Sequence, residues 1–180
     1  MLFFIKFFIS VLNNSLFYAI LGINTDRRGK AMIRILFVCH GNICRSPMAE
    51  FIMKYMARDI PDLYIASAAT STEELGNGVH HGTVDVLKRK GIPNPGHRAV
   101  RMTRRDYAEY DYIIGMDEWN IGNIMRITGG DPDGKIYKLL DFTERGGDIA
   151  DPWYTYDFET TYNDIYEGCT GLMSHIKQHI

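Results

Sequence analysis

The sequence predicts an α/β fold, a doubly wound parallel sheet covered by helices, and three observations carry that prediction. Apolar runs of strand length alternate with stretches of helical period from residue 32 to the C-terminus, the pattern of strand–helix–strand units. The first run, Ile33 to Val38, passes through a tight loop straight into a helix-start signal. The chain then closes on a long stretch whose apolar residues share one helical face.

The elements follow in order. Ile33-Arg34-Ile35-Leu36-Phe37-Val38 reads as the first strand. Ser46 is placed to cap a helix and Pro47 to be its first residue, since a missing N–H costs nothing there; Phe51, Ile52, Tyr55 and Met56 then recur at helical spacing. Leu63 to Ala66 reads as the second strand, and Thr83 to Lys90 as a helix stopped by Gly91. Tyr110 to Met116 is the third strand, Glu118 to Ile127 a helix, and Lys135 to Phe142 the fourth strand. In the last helix Phe158, Tyr162, Ile165, Cys169, Leu172, Met173 and Ile176 fall on one face, which assigns Cys169 to the core.

Bulk properties fit one domain with a full core: 180 residues, 46% hydrophobic and 23% charged, with a net charge of −2. No basic excess points to nucleic acid as a partner. The three cysteines, Cys39, Cys44 and Cys169, form neither a disulfide framework nor a zinc pattern. His80, His81, His175 and His179 have no third ligand at metal spacing and read as solvated side chains, so no metal is expected.

The chain divides into an apolar N-terminal extension, residues 1–31, and a domain over 32–180. Leu2 to Ile23 is mostly apolar, interrupted by Lys6, Asn13, Asn14 and Ser15, and nearly long enough to span a bilayer. Met32 stands one residue before the first strand. The extension reads as non-native, as a membrane anchor or interfacial helix, or as a signal sequence. Its paired arginines come after the apolar run, which argues against a twin-arginine export signal.

The chemistry concentrates in Cys39-His40-Gly41-Asn42-Ile43-Cys44-Arg45-Ser46. A strand delivers a thiol into a loop that ends on a helix N-terminus, where unpaired N–H groups and the helix dipole favour an anion. A thiol in such a field ionises more readily than a free one. Five residues between Cys39 and Arg45 let the backbone curl around a tetrahedral oxyanion with the sulfur in line beneath it. Arg45 closes the ring with a planar fork that lysine could not imitate. Gly41 allows close backbone approach or positive φ, Asn42 tolerates a left-handed turn, and Ser46 can donate to the sulfur. The spacing suits phosphoryl transfer through sulfur. Such a thiolate requires a reducing compartment, which makes the cytoplasm the expected location. Cys44, in the same loop, is a candidate resolving thiol that traps an oxidised Cys39 as a disulfide.

A proton donor is needed for the leaving alkoxide or phenoxide. Asp151 stands after Gly146-Gly147, within Asp151-Pro152-Trp153-Tyr154, and a carboxyl partly desolvated by these aromatics can hold that proton and later activate water. A turn or helix-cap aspartate is the alternative reading of the same residues. Gly129 to Ile136 imitates a nucleotide-binding loop, but Ile136 replaces the magnesium-binding hydroxyl and the following residues read as strand.

The whole stretch Val38 to Glu50 resembles the signature of the low-molecular-weight protein tyrosine phosphatases. Ser67-Ala68-Ala69-Thr70-Ser71, Gly91-Ile92-Pro93, His97-Arg98-Ala99, Asp111-Tyr112-Ile113-Ile114, Met116-Asp117-Glu118 and Asp151-Pro152-Trp153 are similar to that family in its order. The resemblance implies a three-layer, flavodoxin-like α/β fold around a four-stranded parallel sheet, a cysteinyl-phosphate intermediate, and no cofactor. By it Cys39 is the nucleophile, Arg45 the phosphate clamp and Asp151 the acid; Asn42, Ser46 and His97 support the loop. The expected substrate contacts are His40, Gly41, Asn42, Ile43, Cys44, Arg45 and Ser46, with Trp153 and Tyr154 at the rim. Phosphotyrosine proteins or small aryl phosphates are the implied substrates, and phosphate-like oxyanions the implied inhibitors. Arsenate reduction on the same fold and a catalytically silent phosphate-binding module are the alternatives. Where phosphotyrosine-selective members commonly carry an aromatic wall, this chain has Thr72-Glu73-Glu74.

Overall fold

The computed structural model describes residues 32–60 and 62–179; the expected N-terminal extension lies outside them. Four strands form one parallel sheet: β1 (Ile33–Cys39), β2 (Leu63–Ala69), β3 (Tyr112–Gly115) and β4 (Ile136–Lys138), in the order β2-β1-β3-β4. β1 is central and its side chains alternate between faces. Ile35, Phe37 and Cys39 enter one core cluster with helices α1 (Arg45–Met56), α2 (His81–Arg89) and the C-terminal Phe158–His179 helix. Leu36 and Val38 enter a second core on the opposite face, which contains Ile124 of the Glu118–Thr128 helix. The sheet is thus covered on both sides, as a fully parallel sheet must be.

After β1 the chain moves to one side to form β2, and then returns past β1 to form β3 on the other. The loops leaving β1 and β3 therefore diverge, and the crevice between them at the carboxyl ends of the strands is where such folds bind ligands. Cys39 ends β1 and Asp117 follows β3, so both reach that crevice.

Several boundaries differ from the sequence reading. Helix α1 begins at Arg45 with Cys44 at its cap, so Ser46 is not the cap and Pro47 is the third helical residue. Proline is still tolerated there because the first-turn N–H groups lack intrahelical partners. β2 runs on to Ala69 because Ser67, Ala68 and Ala69 pair in register with Phe37, Val38 and Cys39, which overrides their weak strand propensity. β4 stops at Lys138 and turns into a 3-10 helix, Leu139–Phe142. Asp141 accepts from the Lys138 N–H at 2.8 Å, and Leu139 and Leu140 bury against the C-terminal helix. That helix can lie so close because Gly171 faces the Phe142 carbonyl, where a Cβ would stand 2.1 Å from its oxygen.

Two short helices, α3 (Asp106–Glu109) and α5 (Pro152–Thr155), carry too few residues for a periodic signal. Between them lies α4 (Glu118–Thr128), capped by Asp117 and ended by Gly129 at φ +84°. The C-terminal helix is α6. The nucleotide-loop imitation is an aspartate-centred turn, in which Asp131 accepts from the N–H groups of Lys135 and Ile136 and from the Tyr107 hydroxyl.

Candidate active site

The loop after β1 curls around the Cys39 sulfur. Cys39 is 3% exposed, and its Sγ lies 3.0 Å from Ser46 Oγ and 3.3 Å from the Asn42 backbone N–H, which donates to it. Asn42 adopts φ +58° and is fully buried. Its side chain pays for that conformation: Nδ2 donates to Ser46 Oγ and Ser67 Oγ, both at 2.9 Å, while Oδ1 accepts from the Val100 N–H at 3.1 Å. Ser67 donates onward to Glu50 at 2.5 Å, and Lys54 pairs with the same carboxylate. The His97 ring lies 2.9 Å from the Asn42 carbonyl, where it holds the loop from the far side. Gly41 serves close approach rather than positive φ, since a Cβ there would stand 3.1 Å from Glu74 Cγ.

Arg45 leaves the loop as the first residue of α1 with its side chain 3% exposed. Nη1 donates to Asp117 at 2.5 Å and to the Ile149 carbonyl at 3.1 Å; Nη2 donates to Asp151 at 2.5 Å. Burial opposes its charge, but the Cys39 sulfur and the Asp151 and Asp117 carboxylates outweigh that and hold its pKa above the ordinary arginine value. The buried Arg45 Nε has no partner among the described residues, which leaves a donor for an oxyanion held over the sulfur. Asp151 caps α5 by accepting from the Trp153 N–H at 3.1 Å, as the alternative reading of the sequence has it, and its other oxygen meets Arg45.

These groups line an open cleft of about 660 Å³ with His40, Gly41, Ile43 and Cys44 at its base. Its lining also includes the exposed Trp119, Trp153 and Tyr154 together with Glu73 and Glu74. His40 Nε2 lies 3.1 Å from Glu73 Oε2, so its side chain is directed to the rim.

Cys44 and Cys169 are buried. Cys44 is pushed up to about 12 by burial, then by the Cys39 sulfur and Asp151. Cys169 is fully buried with its thiol against the Ala49 carbonyl, and burial pushes its pKa upward. His80 is not the solvated side chain the sequence suggested. It caps α2 through Nδ1, stacks on Phe158 at 5.1 Å and meets the edge of Trp153 at 5.8 Å. Burial, then His81, hold its pKa below the usual histidine value.

Sequence reasoning missed Asp117, Glu50 and Trp119. Asp117 had a signal, being an aspartate directly ahead of a predicted helix start. Glu50 and Trp119 had none, because each acts through residues distant in the chain.

A doubly wound sheet with a cysteine–arginine oxyanion loop at its switch point, faced by an arginine-bound aspartate, defines a class of phosphatases that work through sulfur. Residues 34–180 match the family model described as low molecular weight phosphotyrosine protein phosphatase. The chain is 39% identical over 152 residues to the low molecular weight protein-tyrosine-phosphatase YfkJ of Bacillus subtilis, covering 82% of this chain and 97% of that one. It is 40% identical to PtpA of Staphylococcus haemolyticus, covering 81% and 94%. The crystal structure of YfkJ superposes with a TM-score of 0.80 at 38% identity over 83% of this chain and 97% of that one. SP-PTP from Streptococcus pyogenes does so with a TM-score of 0.72 at 43% identity, over 80% and 93%. The chain belongs to the low molecular weight phosphotyrosine protein phosphatase family and is a phosphatase of that class.

Proposed function

We propose that this enzyme hydrolyses phosphotyrosine in proteins, and small aryl phosphates, through a cysteinyl-phosphate on Cys39. The observation that carries the reading is the Arg45 side chain, which leaves the Cys39 loop and binds Asp151, 106 positions along the chain. In the first step the sulfur attacks phosphorus, the aryl oxygen departs with the ester bond's electron pair, and Asp151 gives it a proton. Arg45, using Nε and the Nη atoms it now shares with carboxylates, holds the equatorial oxygens. In the second step Asp151 takes a proton from water, which attacks phosphorus and returns the thiolate, supported by Ser46 Oγ and the Asn42 N–H. Phosphate and similar oxyanions compete for the same cradle. No cofactor enters either step.

The arsenate-reductase alternative needs a further cysteine that, with Cys39, supplies the two electrons and ends as a disulfide. Cys169 lies in the core under α1, which supports hydrolysis instead. The silent-module alternative has no use for an aspartate brought against Arg45. Assaying p-nitrophenyl phosphate and arsenate side by side tests the reading: aryl phosphate is hydrolysed and arsenate consumes no thiol reductant. The opposite pattern overturns it. A thiolate nucleophile supports a reducing, cytoplasmic location. Among the described residues no helix is long and apolar enough to cross a membrane.

Cys44 fits the resolving role in one respect. Burial, then the Cys39 sulfur and Asp151, push its pKa up to about 12, and oxidation of Cys39 to a sulfenic acid weakens the second of these contributions. Dithiol is expected to restore peroxide-treated wild type, and much less of Cys44→Ser. Equal recovery of the two would make Cys44 a packing residue only.

Glu73 lines the cleft where an aromatic wall would stack on the substrate ring. Stacking adds about 0.5–1.5 kcal/mol beyond burial, so Glu73→Tyr is expected to lower KM for aryl phosphates several-fold at unchanged kcat. An unchanged KM would show that the ring does not reach this side.

A further inference from the structure

Outside the cleft, three arginines converge on a second hollow of about 470 Å³, lined by Thr70, Arg101, Met102, Thr103, Arg104, Asn123, Arg126 and Ile127. No carboxylate lines it, and among the described residues none pairs with Arg101, Arg104 or Arg126. Asp106, the nearest in sequence, is engaged by the N–H and hydroxyl of Thr103. Arg126 is oriented by a 2.6 Å bond to Asn123 Oδ1, and Arg104 lies against Gly129 at the end of α4. The segment bearing Arg101 and Arg104 is pinned to the end of β2, where Ala69 N donates to the Val100 carbonyl at 2.7 Å and Met102 N to the Ala69 carbonyl at 2.8 Å. Thr70, which also lines the hollow, has a buried hydroxyl oxygen with no partner among the described residues.

Three guanidiniums around one hollow, none of them neutralised by a carboxylate among the described residues, suit an oxyanion. We propose that this hollow is a substrate subsite for a second anionic side chain, phosphorylated or carboxylate, on the same segment as the phosphotyrosine. The inference rests on the phosphatase reading of the cleft. Placement supports it. Thr70 N donates to the Cys39 carbonyl at 2.9 Å, so the hollow begins at the backbone of the catalytic loop. Helix α4 lines both sites, with Asn120 in the cleft and Arg126 in the hollow. Six residues of helix rise about 9 Å. Since an extended chain spans at most about 3.3–3.6 Å per residue, bridging that rise takes about three residues or more from the phosphotyrosine.

The test compares wild type with the Arg101→Ala/Arg104→Ala/Arg126→Ala variant on p-nitrophenyl phosphate and on three sets of peptides. All peptides carry one phosphotyrosine, with a neutral residue, a glutamate or a phosphoserine placed four positions before or after it. Both enzymes are expected to treat p-nitrophenyl phosphate and the neutral peptides alike. On the phosphoserine peptides the variant loses roughly five- to twenty-fold in kcat/KM, with a smaller loss for glutamate, all in KM and fading with added salt. Equal treatment of all peptides by the two enzymes overturns the proposal. If wild type fails on p-nitrophenyl phosphate and the neutral peptides, the phosphatase reading fails instead. Anisotropy of a labelled phosphoserine peptide then still judges the hollow: loss of binding in the variant supports it, and unchanged binding overturns it. A single-stranded oligonucleotide that displaces this peptide as readily as unlabelled peptide does would also overturn it, by making the hollow a general polyanion site.

Discussion

Cys39→Ser is expected to cut turnover of p-nitrophenyl phosphate to less than roughly one thousandth of wild type while inorganic phosphate still binds within about threefold. The asymmetry follows from where the groups sit. The anion-holding parts are the helix start, the Arg45 guanidinium and its orphan Nε, and all of them lie off the sulfur. A serine hydroxyl keeps the contacts to Ser46 and the Asn42 N–H, so the loop has no reason to open. What disappears is a polarisable nucleophile that ionises, replaced by an alcohol with no adjacent base. Turnover is read from product release and binding from calorimetric titration with phosphate. Retained hydrolysis would remove the covalent intermediate from the mechanism. Lost binding together with lost activity would place the sulfur in the cradle itself.

The local part of this site was legible in the sequence, and the long-range part was not. Cys39 to Ser46 is contiguous, so spacing alone constrains its geometry. Asn42 illustrates the limit. A left-handed asparagine was readable, but its partners Ser67 and Val100 and the further link to Glu50 depend on β2 and the 97–102 segment arriving beside it. Asp117 and Asp151 reach Arg45 from 72 and 106 residues away, and no one-dimensional pattern carries such a pairing. Strand ends were misplaced for a similar reason. Ser67 to Ala69 extend β2 only because β1 pairs with them, and Leu139 to Phe142 leave the sheet because Gly168 and Gly171 admit them against α6. Propensity describes a residue's preference on its own, whereas these boundaries are set by the neighbour.

The proximity of two carboxylates to Arg45 makes the assignment of the acid a sharp experiment. Asp151→Asn is expected to slow esters with poor leaving groups by about 10²–10⁴-fold and to spare good ones, because only a strongly basic leaving oxygen needs the proton. Asparagine caps a helix about as well as aspartate, so α5 keeps its start and Trp153 its place. Asp117→Asn is the comparison. Asp117 Oδ1 caps α4 through the Asn120 N–H at 2.6 Å, and Oδ2 meets Arg45. Its loss disturbs the arginine and is expected to lower rates by one common factor across the leaving-group series. The measurement is kcat against leaving-group pKa for wild type and both variants. A steeper slope in Asp151→Asn and an unchanged slope in Asp117→Asn assign the proton to Asp151. The reverse pattern transfers the role to Asp117 and leaves Asp151 as a helix cap that also orients Arg45.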